Sequence, residues 1–454
     1  MAPPARIRLG AASPGTAATT AETLAQLAQI TRRAAVKGID VLLLPEAYIG
    51  GYPSGTAFGC VMGSRSREGR DEYLRYFQSA VDLGDSVGEG GAGAGAAWLR
   101  RELGGPGDAT PPRASLDGSP DAKTRGDGTR EQLELIARQT GVLVVTGCIE
   151  KAGGSMYCAV VYVCPRLGVI GKRRKVMPTG TERLVWAQGS PATLRAVTTI
   201  IRGVRINLAA AICWENYMPL VRQSLYAQNI NLYLAPTADG RDTWLPLMRT
   251  AAIEGRCFVV TANMCVRKPT ATHPAANVTH DSSNGDAVDE LPDPDHFGSG
   301  NRRSSCVTEE GFEIALPSPP PPPPPPQQQQ QQPRRPASQT KRRQSVFDED
   351  GNEIVLCGDG PKAQRLSVAN GHQPAASASS DTKFVSRGGS AIVSPFGEVL
   401  AGPQWEDDEG IIYADVDFDD CIRGRLDLDT AGSYSRNDSF KFSVEGLDLT
   451  PLPY

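Results

Sequence analysis

Histidine is scarce. The 454 residues hold four, His273, His280, His296 and His372, and all fall between Pro269 and Phe384, a stretch of low-complexity composition. That scarcity argues against a Cys-His or Ser-His-Asp centre elsewhere and against the usual histidine-containing zinc sites. Long apolar runs are also missing: a span of a bilayer takes about 20 such residues. The first residues, MAPPARIRLGAASPG, lack the apolar stretch of a signal peptide. There is no excess of basic residues. The net charge of −4 removes the electrostatic footprint of nucleic-acid binding. Ten cysteines are present, but without CxxC pairs. Without a secretion signal they read as reduced thiols in a cytoplasmic protein. The Asn277-Val278-Thr279 sequon then carries no glycan.

The length suits one large domain with insertions or two or three smaller ones. Residues 6–11 (RIRLGA) alternate and predict a first strand. Leu24, Leu27, Ile30 and Ala34 recur at three- and four-residue steps, which predicts an amphipathic helix over 20–37. Val41 to Leu44 is an apolar run stopping at Pro45, a buried strand. This βαβ unit points to layered α/β architecture. Further patterns predict strands at 142–145, 157–163, 204–212, 231–236 and 257–262, and helices at 130–139, 219–229 and 244–255. A hairpin is expected around Ser394-Pro395-Phe396-Gly397, with one more strand at 410–415.

Two segments interrupt this. Residues 84–107 are rich in Gly and Ala, with a short helical pattern at 98–103, and 104–128 read as a surface loop insertion. Residues 269–383 contain SPPPPPPPPQQQQQQPRRP and few aromatics. Such a stretch buries too little apolar area to offset its ordering entropy, so it is expected to be a mostly disordered insertion. Within it, 346–356 (VFDEDGNEIVL) has the pattern of a hairpin. The rest, 1–268 with 384–454, is expected to be a single domain.

Three short motifs stand at strand ends. LLLPEAYIGGYP places Glu46 after a buried strand. GKRRKVMPTGTERLVWAQG carries Lys175 and Glu182. AAAICWENYMPL carries Cys213. Each has an ordinary reading. Glu46 can cap a turn, and the basic run 172–175 can be a solvated face. Glu182 can pair with Arg183, and Cys213 can be a small core residue. Together they supply thiol chemistry without histidine. A carboxylate raised by burial can take the thiol proton, and an ammonium can stabilise the thiolate and the anion formed on attack.

The order Glu, Lys, Cys in these local sequences resembles the nitrilase (carbon–nitrogen hydrolase) superfamily, in its true nitrilase branch and most closely the fungal type. Further support comes from EGRCFVVTANMC at 254–265, RGGSAIVSPFGEVLAGP at 387–403 and DLDTAGSYSRNDSF at 427–440. The resemblance implies a four-layer α-β-β-α sandwich. It implies Cys213 as nucleophile, Glu46 as general base, Lys175 as stabiliser of the tetrahedral intermediate, and Glu182 as a second glutamate serving the lysine or the proton transfer. The implied reaction turns an organic nitrile into carboxylic acid and ammonia, with no cofactor and no metal. The implied partners are a small-molecule nitrile and further copies of the chain, a homo-oligomer, with no nucleic acid and no membrane. Two positions depart from the pattern: many relatives have histidine at the positions of Arg173 and Ser433, and the second departure bears on assembly.

Two rival readings remain at this point. One is a cyanide hydratase or amidase of the same fold, against which Trp214-Glu215-Asn216 argues. The other is an inactive scaffold acting through the Pro/Gln-rich insertion, by polyproline recognition or phosphorylation near Arg342-Arg343-Gln344-Ser345. The intact Glu-Lys-Cys set argues against it.

Overall fold

The computed structural model describes residues 5–85, 87, 126–268 and 383–454, with four short strands between 305 and 356. Thr19 starts the first helix, α1 (Thr20–Val36). Its hydroxyl accepts from the Glu22 N–H at 3.2 Å, and the Glu22 carboxylate accepts from the Thr19 N–H at 3.0 Å. Two N-terminal donors are thereby satisfied reciprocally. Leu24, Leu27, Ile30 and Ala34 lie buried in one stripe, as a 3.6-residue period requires.

The main strands are β1 (Ile7–Ala12), β2 (Val41–Leu43), β3 (Leu143–Ala152), β4 (Ser155–Cys164) and β5 (Gly168–Arg174). They continue as β6 (Val197–Ile201), β7 (Val204–Ala210), β8 (Leu232–Thr237), β9 (Phe258–Asn263) and β10 (Cys265–Arg267). The last are β11 (Phe384–Val393), β12 (Val399–Trp405) and β13 (Ile411–Val416). One sheet has the order β13-β1-β2-β3-β4-β5. The other runs β10-β11-β9-β8-β7-β6, with β12 also on β11.

Alternation along the strands builds the layers, because successive side chains face opposite sides of a sheet. Val41 and Leu43 of β2 join Leu208, Leu234 and Val260 in the core between the two sheets. Leu42, between them, packs outward with Leu27 of α1 and Leu133 and Ile136 of α3 (Thr129–Thr140); α2 (Arg67–Ser79) precedes it in the chain. On the far side, Ala209 and Tyr233 pack with Leu225 of α4 (Pro219–Tyr226) and Met248 of α5 (Trp244–Gly255). The layers are therefore helix, sheet, sheet, helix, the expected α-β-β-α sandwich. Each large aliphatic side chain fully buried here contributes about 1.5–3 kcal/mol.

Strand direction places the motifs. β2 runs parallel to β3, and β5 lies two antiparallel steps from β3. The ends of β2 and β5 that lead to Glu46 and Lys175 therefore lie on one side. β7 and β8 are parallel, so Cys213 and Thr237 likewise follow strands that end together.

Some boundaries differ from expectation. β7 stops at Ala210 rather than Ile212, and α4 stops at Tyr226 rather than Asn229. Helix α2 and strands β5 and β6 carry no clear sequence pattern: α2 buries only Gly69, so it has no apolar stripe to read. Between 272 and 379 a separate unit is distinguished. Its described residues form two antiparallel pairs, Ser305–Val307 with Glu313–Ala315, and Gln344–Phe347 with Glu353–Leu356. The second pair is the hairpin expected from VFDEDGNEIVL. Apart from these strands and residue 383, the expected disorder of 269–383 falls outside the described residues, as do the helix at 98–103 and most of the loop at 104–128. Among the described residues, no helix is long and apolar enough to cross a membrane. Eight described cysteines are free thiols.

Candidate active site

Glu46 sits three residues past β2, in a segment pressed against β3. Leu44 N–H donates to Val145 O at 2.8 Å, and Gly147 N–H donates to Pro45 O at 3.2 Å. The approach is so close that a Cβ on Gly147 would stand 2.7 Å from the Glu46 Cα and 2.3 Å from Pro45 O, so glycine is required there. Ala47 follows with φ of +51°, a left-handed turn that costs energy for a residue with a Cβ.

Lys175 follows β5 directly. Its backbone N–H donates to Cys158 O at 2.7 Å, and its carbonyl accepts from Gly189 N–H at 2.8 Å. Its ammonium donates to Glu46 Oε1 at 2.7 Å and to Glu182 Oε2 and Oε1 at 2.8 and 3.0 Å. It also lies 5.4 Å from the centre of the Trp186 ring. Glu182 stands in a short 3-10 turn, Gly180–Leu184. Its carboxylate accepts from Thr179 N–H at 2.7 Å and from the Tyr52 hydroxyl at 2.9 Å.

Cys213 opens the 3-10 turn Cys213–Tyr217, with φ of +52°. It is nearly buried, and the Thr237 hydroxyl donates to its Sγ at 3.3 Å. Cys213 also lines a cavity of about 360 Å³ bounded by Tyr52, residues 179–182, Trp214 and residues 238–241. The fold thus brings all four sequence-predicted residues, Glu46, Lys175, Glu182 and Cys213, to one place.

The carbon-nitrogen hydrolase family profile matches residues 6–285 and 361–425. The chain belongs to that family. A nitrilase of Bradyrhizobium diazoefficiens is 31% identical over 92% of this chain and 85% of its own length. An arylacetonitrilase of Trametes versicolor is 31% identical over 93% and 91%. Nitrilase 1 of Arabidopsis thaliana is 31% identical over 90% and 78%.

The electrostatics of this carbon-nitrogen hydrolase site follow from burial and an excess of acid. Glu46 and Glu182 share one ammonium, so one negative charge is left over if both are ionised. Burial raises the Glu46 pKa; Lys175 opposes the rise and Glu182 adds to it. Burial also pushes the Cys213 thiol up, as does Glu46, against Lys175 and Thr237. For Lys175 burial disfavours the charge, but Glu46, the thiols of Cys213 and Cys158, and Glu182 outweigh it and hold its pKa well above the usual lysine range. These influences favour the protonated thiol. It needs an acceptor, and Glu46 Oε2 is a buried oxygen with no hydrogen-bond partner.

The basic run 172–175 is not a solvated face in the hydrolase: Lys172, Arg173, Arg174 and Lys175 are all buried. Carboxylates from distant parts of the chain neutralise them. Lys172 bonds Asp85 and Glu150, and Arg174 Nε reaches Glu150 at 2.9 Å. Arg173 donates to Glu215 Oε1 at 2.7 Å. Glu215 also accepts from Val176 N–H at 2.7 Å and from Ile212 N–H at 2.8 Å. One carboxylate thereby ties the segment after Lys175 to the residue before Cys213. Removing one partner of such a buried pair typically costs about 3–5 kcal/mol. Arg173 is therefore part of the frame of the site.

Sequence reasoning missed Tyr52, Thr237, Glu215 and Cys158. Tyr52 and Glu215 lie inside motifs already singled out, so each was within reach as a neighbour. Thr237 ends β8, and the residues that follow it, 238–241, line the pocket.

Proposed function

We propose that this hydrolase is a nitrilase, converting R–C≡N and two waters to R–COOH and ammonia through a thioimidate and a thioester on Cys213. Glu46 Oε2 takes the Sγ proton as Sγ attacks the nitrile carbon. The proton passes to the nitrogen, giving the thioimidate. Water adds across the C=N bond, its oxygen bonding to carbon and one of its protons reaching nitrogen through Glu46. The new hydroxyl then gives up its proton, by way of Glu46, to the same nitrogen. As the C=O bond of the thioester forms, the C–N bond breaks to release ammonia. A second water, activated by Glu46, attacks the thioester, and the departing sulfur recovers its proton. Lys175 steadies the anionic tetrahedral states, and Glu182 keeps Lys175 charged and in place. The observation that carries this reading is the lysine bridging two buried carboxylates beside a buried thiol, one carboxylate oxygen being unpaired. The nitrilase names of the relatives favour a nitrile over an amide substrate.

The same reading includes one hydrolase domain formed by 1–268 and 384–454, interrupted by insertions at 104–128 and 269–383. It includes a cytoplasmic homo-oligomer, supported by the free thiols and by partly exposed Leu400, Trp405 and Tyr413 on β12 and β13.

Product analysis tests the reaction. Aliphatic and arylaliphatic nitriles are expected to give mainly acid with stoichiometric ammonia, because Glu46 holds a proton for the leaving nitrogen. Amide alone from every substrate would assign a hydratase instead, and hydrolysis of amides but no nitriles an amidase.

The pH dependence follows from the shifts. Glu46 acts deprotonated and its pKa is raised, so kcat/KM should fall, as pH drops, above the ordinary glutamate value of about 4.3. Lys175 is raised, so it contributes no alkaline loss below about pH 10. An acid limb centred at or below pH 4.3 counts against Glu46 as the base.

A further inference from the structure

Cys158, on β4, is fully buried and takes no part in the scheme above. Its side chain belongs to the core between the sheets. Its Sγ stands 3.5 Å from Glu46 Oε1, with the thiol donating. Its backbone carbonyl accepts the Lys175 N–H at 2.7 Å. One residue therefore touches the carboxylate by its side chain and the lysine by its backbone. The two oxygens of Glu46 are then unequal. Oε1 accepts from both Lys175 Nζ and Cys158 Sγ, while Oε2 has no partner.

We propose that Cys158 is a positioning residue for proton transfer: its S–H, with Lys175, occupies Glu46 Oε1 and leaves Oε2 to receive the Cys213 proton. Cys158 is not a second nucleophile, since it does not line the cavity at Cys213. Burial, with Glu46, holds its thiol well above the usual range, so it stays a donor. The charged and titratable groups around Glu46 are Lys175 after β5, Glu182 in its turn, Cys213 after β7, and the hydroxyls of Tyr52 and Tyr76. Of these Lys175 donates to Oε1, and Cys158 on β4 donates to it as well. Losing the thiol donor disfavours the ionised carboxylate, and a hydroxyl in its place restores the bond.

This rests on Glu46 as base for Cys213, so the experiment reads that step directly. The rate of Cys213 alkylation by iodoacetamide is measured against pH in the full-length protein, beside kcat/KM. Cys158→Ala is expected to move the acid limb of both profiles up by about half to one pH unit, the scale of one hydrogen bond. It should lower kcat several-fold with KM little changed. Cys158→Ser should return the limb to the wild-type position or below it. A merely structural role would lower stability and leave the limb in place. Superimposable profiles for wild type, Cys158→Ala and Cys158→Ser would overturn the proposal. Glu46→Gln separates the two levels. If it flattens the alkylation profile while Cys158→Ala changes nothing, only the role of Cys158 fails. If it too changes nothing, the base assignment fails and this proposal with it.

Discussion

Cys213→Ala is expected to leave a folded protein without measurable hydrolysis of nitriles, a loss of about 10⁴-fold or more. The substitution removes one nearly buried sulfur and keeps the Cβ, so packing between the sheets changes little. The left-handed turn at φ +52° is held by its surroundings rather than by the thiol. Asn216 Nδ2 donates to the carbonyls of Ala211 and Cys213 at 2.9 and 2.7 Å, and Glu215 holds Ile212. Ammonia release measures the loss, and circular dichroism with a urea midpoint verifies the fold. Activity above a few per cent in a normally folded variant would remove Cys213 as nucleophile. Mass spectrometry of acid-quenched wild-type enzyme should show the thioester mass, and this variant should not.

Glu46→Gln and Lys175→Ala are each expected to lower kcat by about 10²–10⁴-fold. Glu46→Gln keeps shape and volume but has no basic oxygen for the thiol proton. It also leaves Lys175 paired with Glu182, so the fold should survive and the loss should fall on the chemical step. Lys175→Ala is the harsher change. It leaves Glu46 and Glu182 together and buried without their shared cation, so stability should fall as well as rate. Combined with Cys213→Ala, neither should add further loss in kcat, because the three act as a unit. Near-normal turnover of Glu46→Gln at neutral pH would end its role as base.

How legible the site was depended on sequence distance. Glu46 and Cys213 follow apolar runs, which read as buried strands because parallel strands covered on both faces are apolar throughout. The four charged residues of 172–175 read as surface because their partners are remote. Lys175 and Glu46 are 129 residues apart, Arg173 and Glu215 are 42 apart, and Lys172 and Glu150 are 22 apart. No window of local periodicity contains both members of such a pair. Strand β5 was missed for the same reason, its cations hiding a wholly buried strand. Cys158 gave no signal: in SMYCAVVYVC it is one more small residue on an apolar strand. The resemblance to carbon–nitrogen hydrolases supplied the roles that patterning left open.

The row of cations from Lys172 to Lys175 also divides the molecule for anyone wishing to redesign it. Lys172 and Arg174 share Glu150, Arg173 answers to Glu215, and Lys175 to Glu46 and Glu182, so this stretch behaves as a keystone whose parts cannot be exchanged one at a time. The cavity wall is built differently. Gly180 and Thr181, like Gly240 and Arg241, border the substrate space without holding the ion pairs of that stretch together. Substrate range can therefore be varied from the wall, while the keystone must be inherited whole.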